Sequence, residues 1–127
     1  MDAMMSRLSP LESAVAEAIS HQYPVATSAL LSQLATATVT GRDFTGSGFF
    51  TEFEVSRSAP SAPTAIGPVG WIGALVGPDR YPMEFMLYVR EGFAHMIEAY
   101  SYGDGYGELD LINAEFSRPT AIDTYQL

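Results

Sequence analysis

Two apolar runs, Met83–Arg90 and Phe93–Tyr102, are separated only by Glu91-Gly92. A two-residue connection ending in glycine is far too short for a crossover, so the pair predicts an antiparallel hairpin. The other strand signals have short links as well. Thr36–Thr40 is largely β-branched, and Phe49, Thr51, Phe53 and Val55 alternate with Phe50, Glu52 and Glu54, which predicts a strand with one wet face. Val69–Val76 is apolar on both faces and reads as a central strand, although Gly70 and Gly73 weaken it. Gly77-Pro78-Asp79 and Pro82 mark a turn, and a final strand is expected over Leu109–Phe116, after the glycines at 103, 105 and 107.

Before residue 36 the period is helical. Ser9-Pro10-Leu11-Glu12 is a capping-box pattern with proline at the first helical position, where its missing N–H does no harm. Leu11, Val15, Ala18 and Ile19 follow at helical spacing, with Glu12, Ser13 and Glu17 assigned to the opposite side, so the first helix spans Pro10–His21. Tyr23-Pro24 breaks it. A second helix from Pro24 to Leu34 would press Leu30, Leu31 and Leu34 on the fold.

The expected fold is therefore α+β, with two N-terminal helices packed on one face of a mostly antiparallel meander of five or six strands. A length of 127 residues, 47% of them hydrophobic, supplies one core and not two, so residues 1–127 form a single domain. The proline-rich stretch Arg57–Pro68 is an exposed loop within it, not a linker.

Composition removes several chemistries. With no cysteine there is no disulfide, zinc thiolate or thiol nucleophile. The start of the chain lacks the basic and apolar regions of a signal peptide, and no apolar run is long enough to span a bilayer, so a cytoplasmic protein without membrane contact is expected. The net charge is −9, and residues 64–127 hold nine acids against three arginines. Such a field repels phosphate backbones and argues against nucleic acid; it suits a basic protein partner, or simply solubility.

Specific motifs are few. Gly46-Ser47-Gly48 is followed by a strand and lacks a lysine, so it is a turn or bulge and not a phosphate loop. Residues 103–110 hold three acids without the spacing of a calcium loop, and neither a metal nor another cofactor is expected. His21 falls at a helix end, and His95 is placed on the face of Phe93 and Ile97 as a half-buried histidine. Glu98 shares a face with Met96, Tyr100 and Tyr102, which sets a carboxylate among aromatic neighbours. That setting either raises its pKa or requires a cation, and Arg42 is the expected partner. Phe50, Tyr81, Tyr102 and Tyr106 lie near turns or on the wet face, where they either form a binding patch or cap the edges of the core.

The run Arg42-Asp43-Phe44-Thr45-Gly46-Ser47-Gly48-Phe49-Phe50-Thr51 resembles small uncharacterised bacterial proteins with an Arg-x-x-Thr-Gly-x-Gly-Phe-Phe-Thr signature. In those proteins a hairpin follows, closing in a Leu-Glu-Gly-Tyr-like segment; here that segment is Ile97-Glu98-Ala99-Tyr100-Ser101-Tyr102, with Ala99 in place of the glycine. The resemblance covers roughly residues 24–116. It implies an antidote or accessory protein beside a bacterial toxin gene, and it assigns no catalytic residue.

Three functional readings follow. The first is a non-catalytic, immunity-like or accessory domain that meets a basic protein through its acidic surface. The second is a small hydrolase or lyase using Glu98 with His95 or Tyr100. The third is a homo-oligomer formed by pairing an exposed sheet edge.

Overall fold

The computed structural model describes residues 7–63, 67–101, 110 and 112–122, with backbone alone at Gly67 and Pro68. Helix α1, Pro10–Ser20, starts at a complete capping box: Glu12 N donates to Ser9 Oγ (3.1 Å) and Ser9 N donates to Glu12 Oε1 (2.8 Å). His21 is its C-cap. Helix α2, Thr27–Leu34, begins three residues later than expected, because Tyr23–Ala26 forms the corner between the helices. There the Thr27 hydroxyl donates to the carbonyls of Ser20 (2.8 Å) and Tyr23 (3.1 Å), and Ala26 N donates to Tyr23 O (2.7 Å). These bonds use up acceptors left over at the end of α1. On α2, Leu30 is buried but Leu31 is only half-buried; the second core position belongs to Gln33.

Among the described residues six strands form one antiparallel sheet: β1 Thr38–Phe44, β2 Gly48–Glu54, β3 Gly67–Val76, β4 Tyr81–Arg90, β5 Phe93–Ser101 and β6 Thr120–Ala121. The order β1-β2-β5-β4-β3-β6 departs from a plain meander, because the β1–β2 hairpin joins the free side of β5. At the β4–β5 turn Glu91 (φ 54°) and Gly92 (φ 86°) are both left-handed, the combination a two-residue hairpin turn requires.

The loop after β2 is fastened, not free. Ala62 is buried and its N–H donates to Gly92 O (2.7 Å), while Gln33 Nε2 donates to Pro60 O (2.8 Å) and Gly92 O (2.7 Å). Ala94 N donates to Gln33 Oε1 (2.9 Å). A fully buried amide thus has both ends satisfied, and it ties α2, the loop and the hairpin turn together. The last expected strand is also revised. Residues 102–109 and 111 lie outside the described residues, and Asp110 accepts from Ile112 N, Asn113 N and Asn113 Nδ2 in a turn. Such local side-chain bonds replace a ladder. Phe116 makes a single bridge to Val76, and the edge strand is β6.

One face of the sheet carries the core. Phe49 and Phe53 of β2, Ile72 and Val76 of β3, Met83, Phe85, Leu87 and Val89 of β4, and Ile97 of β5 close over Leu11, Val15, Ile19 and Leu30 from the helices. Helix α1 lies on β3 and β4, and α2 on β5. No helix among the described residues is long and apolar enough to cross a membrane.

Close approach of α1 to the sheet depends on a bulge between Val69 and Ile72. There Gly70 has φ 73°, and a Cβ would overlap Ile19 Cγ2. Gly70→Ala is expected to lower stability by about 2–4 kcal/mol through the left-handed backbone and the overlap together. At Gly41 a Cβ meets nothing within 4 Å, so Gly41→Ala should stay within about 0.5 kcal/mol of wild type. Chemical denaturation compares the two, and equal midpoints would refute this account of the bulge.

Candidate functional site

Arg42 does not reach Glu98. It stands opposite Thr51 in the β1–β2 register, on the helix-covered face, and grips Glu12 with two bonds: Nε to Oε2 (2.8 Å) and Nη2 to Oε1 (2.7 Å). The buried Thr51 hydroxyl donates to Glu12 Oε2 (2.5 Å). Glu12, assigned by periodicity to the wet side of α1, is 1% exposed. Burial by itself would push this carboxyl up. The bonds from Arg42, Thr51 and Ser9 N, with the charge of Arg42, outweigh it and hold Glu12 below the ordinary carboxylate range. Hydrogen bonding to Glu12 comes first among the influences that raise the Arg42 guanidinium further. The overlooked signal was the capping box itself, because position N3 points the glutamate back over the helix start, toward whatever covers it.

The opposite face bears Glu98. Register lays out its rows: Phe50, Glu98 and Met86 stand side by side on β2, β5 and β4; Glu52, Met96 and Tyr88 form the next row; Tyr100 and Glu84 pair one row the other way. Tyr88 OH donates to Glu98 Oε1 (2.7 Å), and Tyr100 OH donates to Glu84 Oε1 (2.7 Å). The exposed Trp71, carried outward by the same bulge that brings Gly70 to α1, donates its Nε1–H to Glu84 Oε1 (2.9 Å). Glu84 is 2% exposed, and Glu98 is half-buried. The Tyr88 phenol is raised above its usual pKa by its bond to Glu98, then by burial and the negative charge.

The chain matches no protein-family model, no curated protein and no solved structure. The site must therefore be judged on its own geometry.

His95 has changed sides. The β4–β5 ladder shifts between Tyr88 and Val89, so Met96 pairs with Tyr88 while Ala94 pairs with Val89, leaving His95 as the extra residue. Its ring meets Tyr88 edge-on with centroids 6.3 Å apart, away from the buried Ile97. Burial, then Arg90, lowers its pKa, against a smaller opposing effect of Glu52. Phe93 is likewise half-buried and lies under the Arg57 guanidinium, 4.4 Å from its ring centroid. Of the residues singled out in the sequence, the fold thus gathers Glu98, His95 and Tyr100 on one face, with Tyr88 and Glu84 as their contacts. Arg42 is excluded from that group, and Tyr102 and Tyr106 lie outside the described residues. Among the described residues no three His, Asp or Glu side chains come together in a way that could hold a metal ion.

The arrangement presents carboxylates fixed by phenol and indole donors between methionine and aromatic side chains. The clamp beneath α1 differs in pairing its carboxylate with an arginine.

Removing Arg42 strands a buried carboxylate, so Arg42→Met should cost about 3–5 kcal/mol, while Glu12→Leu with Arg42→Leu should recover more than half of that. Glu12 has a folded pKa below its unfolded one. Its contribution is therefore present above the model-peptide value of 4.5 and is lost as pH falls through the folded value. Urea midpoints of wild type should drop on that descent, with a shallower drop for Glu12→Gln. Parallel curves would show that the clamp does not titrate with folding.

Proposed function

We propose that this chain is a non-catalytic, immunity-like or accessory domain that binds a basic protein through the helix-free face of its sheet. The observation that carries the reading is the composition of that face. Glu52 and Glu54 are exposed on β2, Glu98 sits at the centre, and Phe50, Met86, Tyr88, Met96 and the exposed Trp71 surround them. Aromatic and methionine side chains supply contact area at interface cores, and fixed carboxylates select the sign of the partner. A net charge of −9 extends the attraction beyond contact range.

The hydrolase or lyase reading has less behind it. Glu98 is bonded to Tyr88, the Tyr100 hydroxyl is turned to Glu84 and the His95 ring lies edge-on to Tyr88, so Glu98 is bonded to neither of its two proposed helpers.

Capture on immobilised protein from the native host should retain a strongly basic protein at low salt and release it as ionic strength rises, because screening shortens the reach of exposed charges. Glu52→Arg with Glu54→Arg should abolish retention, whereas Glu17→Arg on the helix side should leave it unchanged. Retention that ignores salt, or that survives the β2 reversals, would contradict the reading.

A further inference from the structure

We infer that Glu98 is an arginine-receiving anchor at the centre of the helix-free face, a refinement that rests on the basic-partner reading above. Four residues are its neighbours in the sheet, and Glu98 is half-buried among them. Phe50 and Met86 stand directly across from it on β2 and β4, and Met96 and Tyr100 flank it two residues away on β5. Its bond from Tyr88 OH fixes Oε1 (2.7 Å), and it makes no ion pair with any described residue; the ion pair among them belongs to Arg42 and Glu12. A half-buried carboxylate so placed feels less solvent screening than Glu52 or Glu54, so a cation reaching it is held more strongly.

These neighbours also select the kind of cation. A guanidinium is planar, gives up hydration more readily than an ammonium, and can lie flat on an aromatic ring or thioether while its N–H groups point at a carboxylate. A lysine ammonium would have to shed more tightly bound water and would leave the flanking side chains unused. Buried arginine and aromatic contacts of this kind carry a disproportionate share of interface energy. Glu98 is thereby distinguished from the other acids of the face, which act through long-range attraction.

The test uses the full chain labelled with 13C at its methionine methyl groups, titrated with a hexaarginine peptide and separately with hexalysine. Hexaarginine should shift the methyl signals of Met86 and Met96 and leave Met83, buried on the helix side, in place. Hexalysine should bind at least fivefold more weakly. Glu98→Gln, whose amide oxygen can still accept from Tyr88 and which should keep the wild-type melting temperature, should weaken hexaarginine at least tenfold. Glu52→Gln should weaken it no more than about twofold, as expected of a screened surface charge. If the two variants weaken binding equally, or hexalysine binds as well, the anchor is overturned while the basic-partner face stands. If neither peptide moves Met86 or Met96, both ideas fall.

Discussion

The contact between Glu12, Arg42 and Thr51 ties the start of the first helix to both strands of the β1–β2 hairpin. Its glutamate belongs to the first turn of α1, its arginine to the edge strand β1, and its hydroxyl to β2. Helix α1 otherwise rests on β3 and β4, on the far side of β5 from the β1–β2 hairpin. The clamp therefore fixes how the hairpin closes against the helix layer. It is also buried, so each member depends on the others being in place.

That arrangement gives a physical meaning to the segment from Arg42 to Thr51. Its two ends are the arginine and threonine of the clamp. Between them Gly46 takes a left-handed φ of 91°, Thr45 N donates to Gly48 O (3.0 Å), and a side chain at Gly48 would overlap the backbone of Ala99. The glycines serve the turn and the close approach of β2 to β5. The polar chemistry of this segment serves the fold.

The clamp and the helices occupy one side of the sheet, and the proposed partner surface is the other. Bulges shape it at two places. One turns Gly70 toward α1 and Trp71 outward, and the other sets His95 beside Tyr88. Both bulges increase local strand twist and re-aim single side chains without disturbing the buried rows. Glu52, Glu54, Glu84 and Glu98 thus share the side away from the helices with Trp71, Tyr88 and Tyr100, and with Arg57 and Arg90 near the β4–β5 turn.

The sequence by itself determined the two helices, the strands from β1 to β5, the antiparallel hairpin and the side of β2 to be buried. Period, capping and turn chemistry are local, and they survive in the α1 capping box, the Glu91-Gly92 turn and the β2 alternation. What only the tertiary structure decided was the partner of each polar group. Arg42 is the expected partner of Glu98 because it ends a strand in a segment poor in arginine, but strand order places β2 between them and register puts them on opposite faces. Spacing puts Glu12 on the wet side of α1, yet it fills a buried position that a distant hydroxyl and guanidinium make tolerable. His95 was misplaced because a one-residue bulge inverts the alternation and leaves no mark in composition. Apart from hairpins closed by a tight turn, pairing and register come from contacts across dozens of residues, about which local patterns say little.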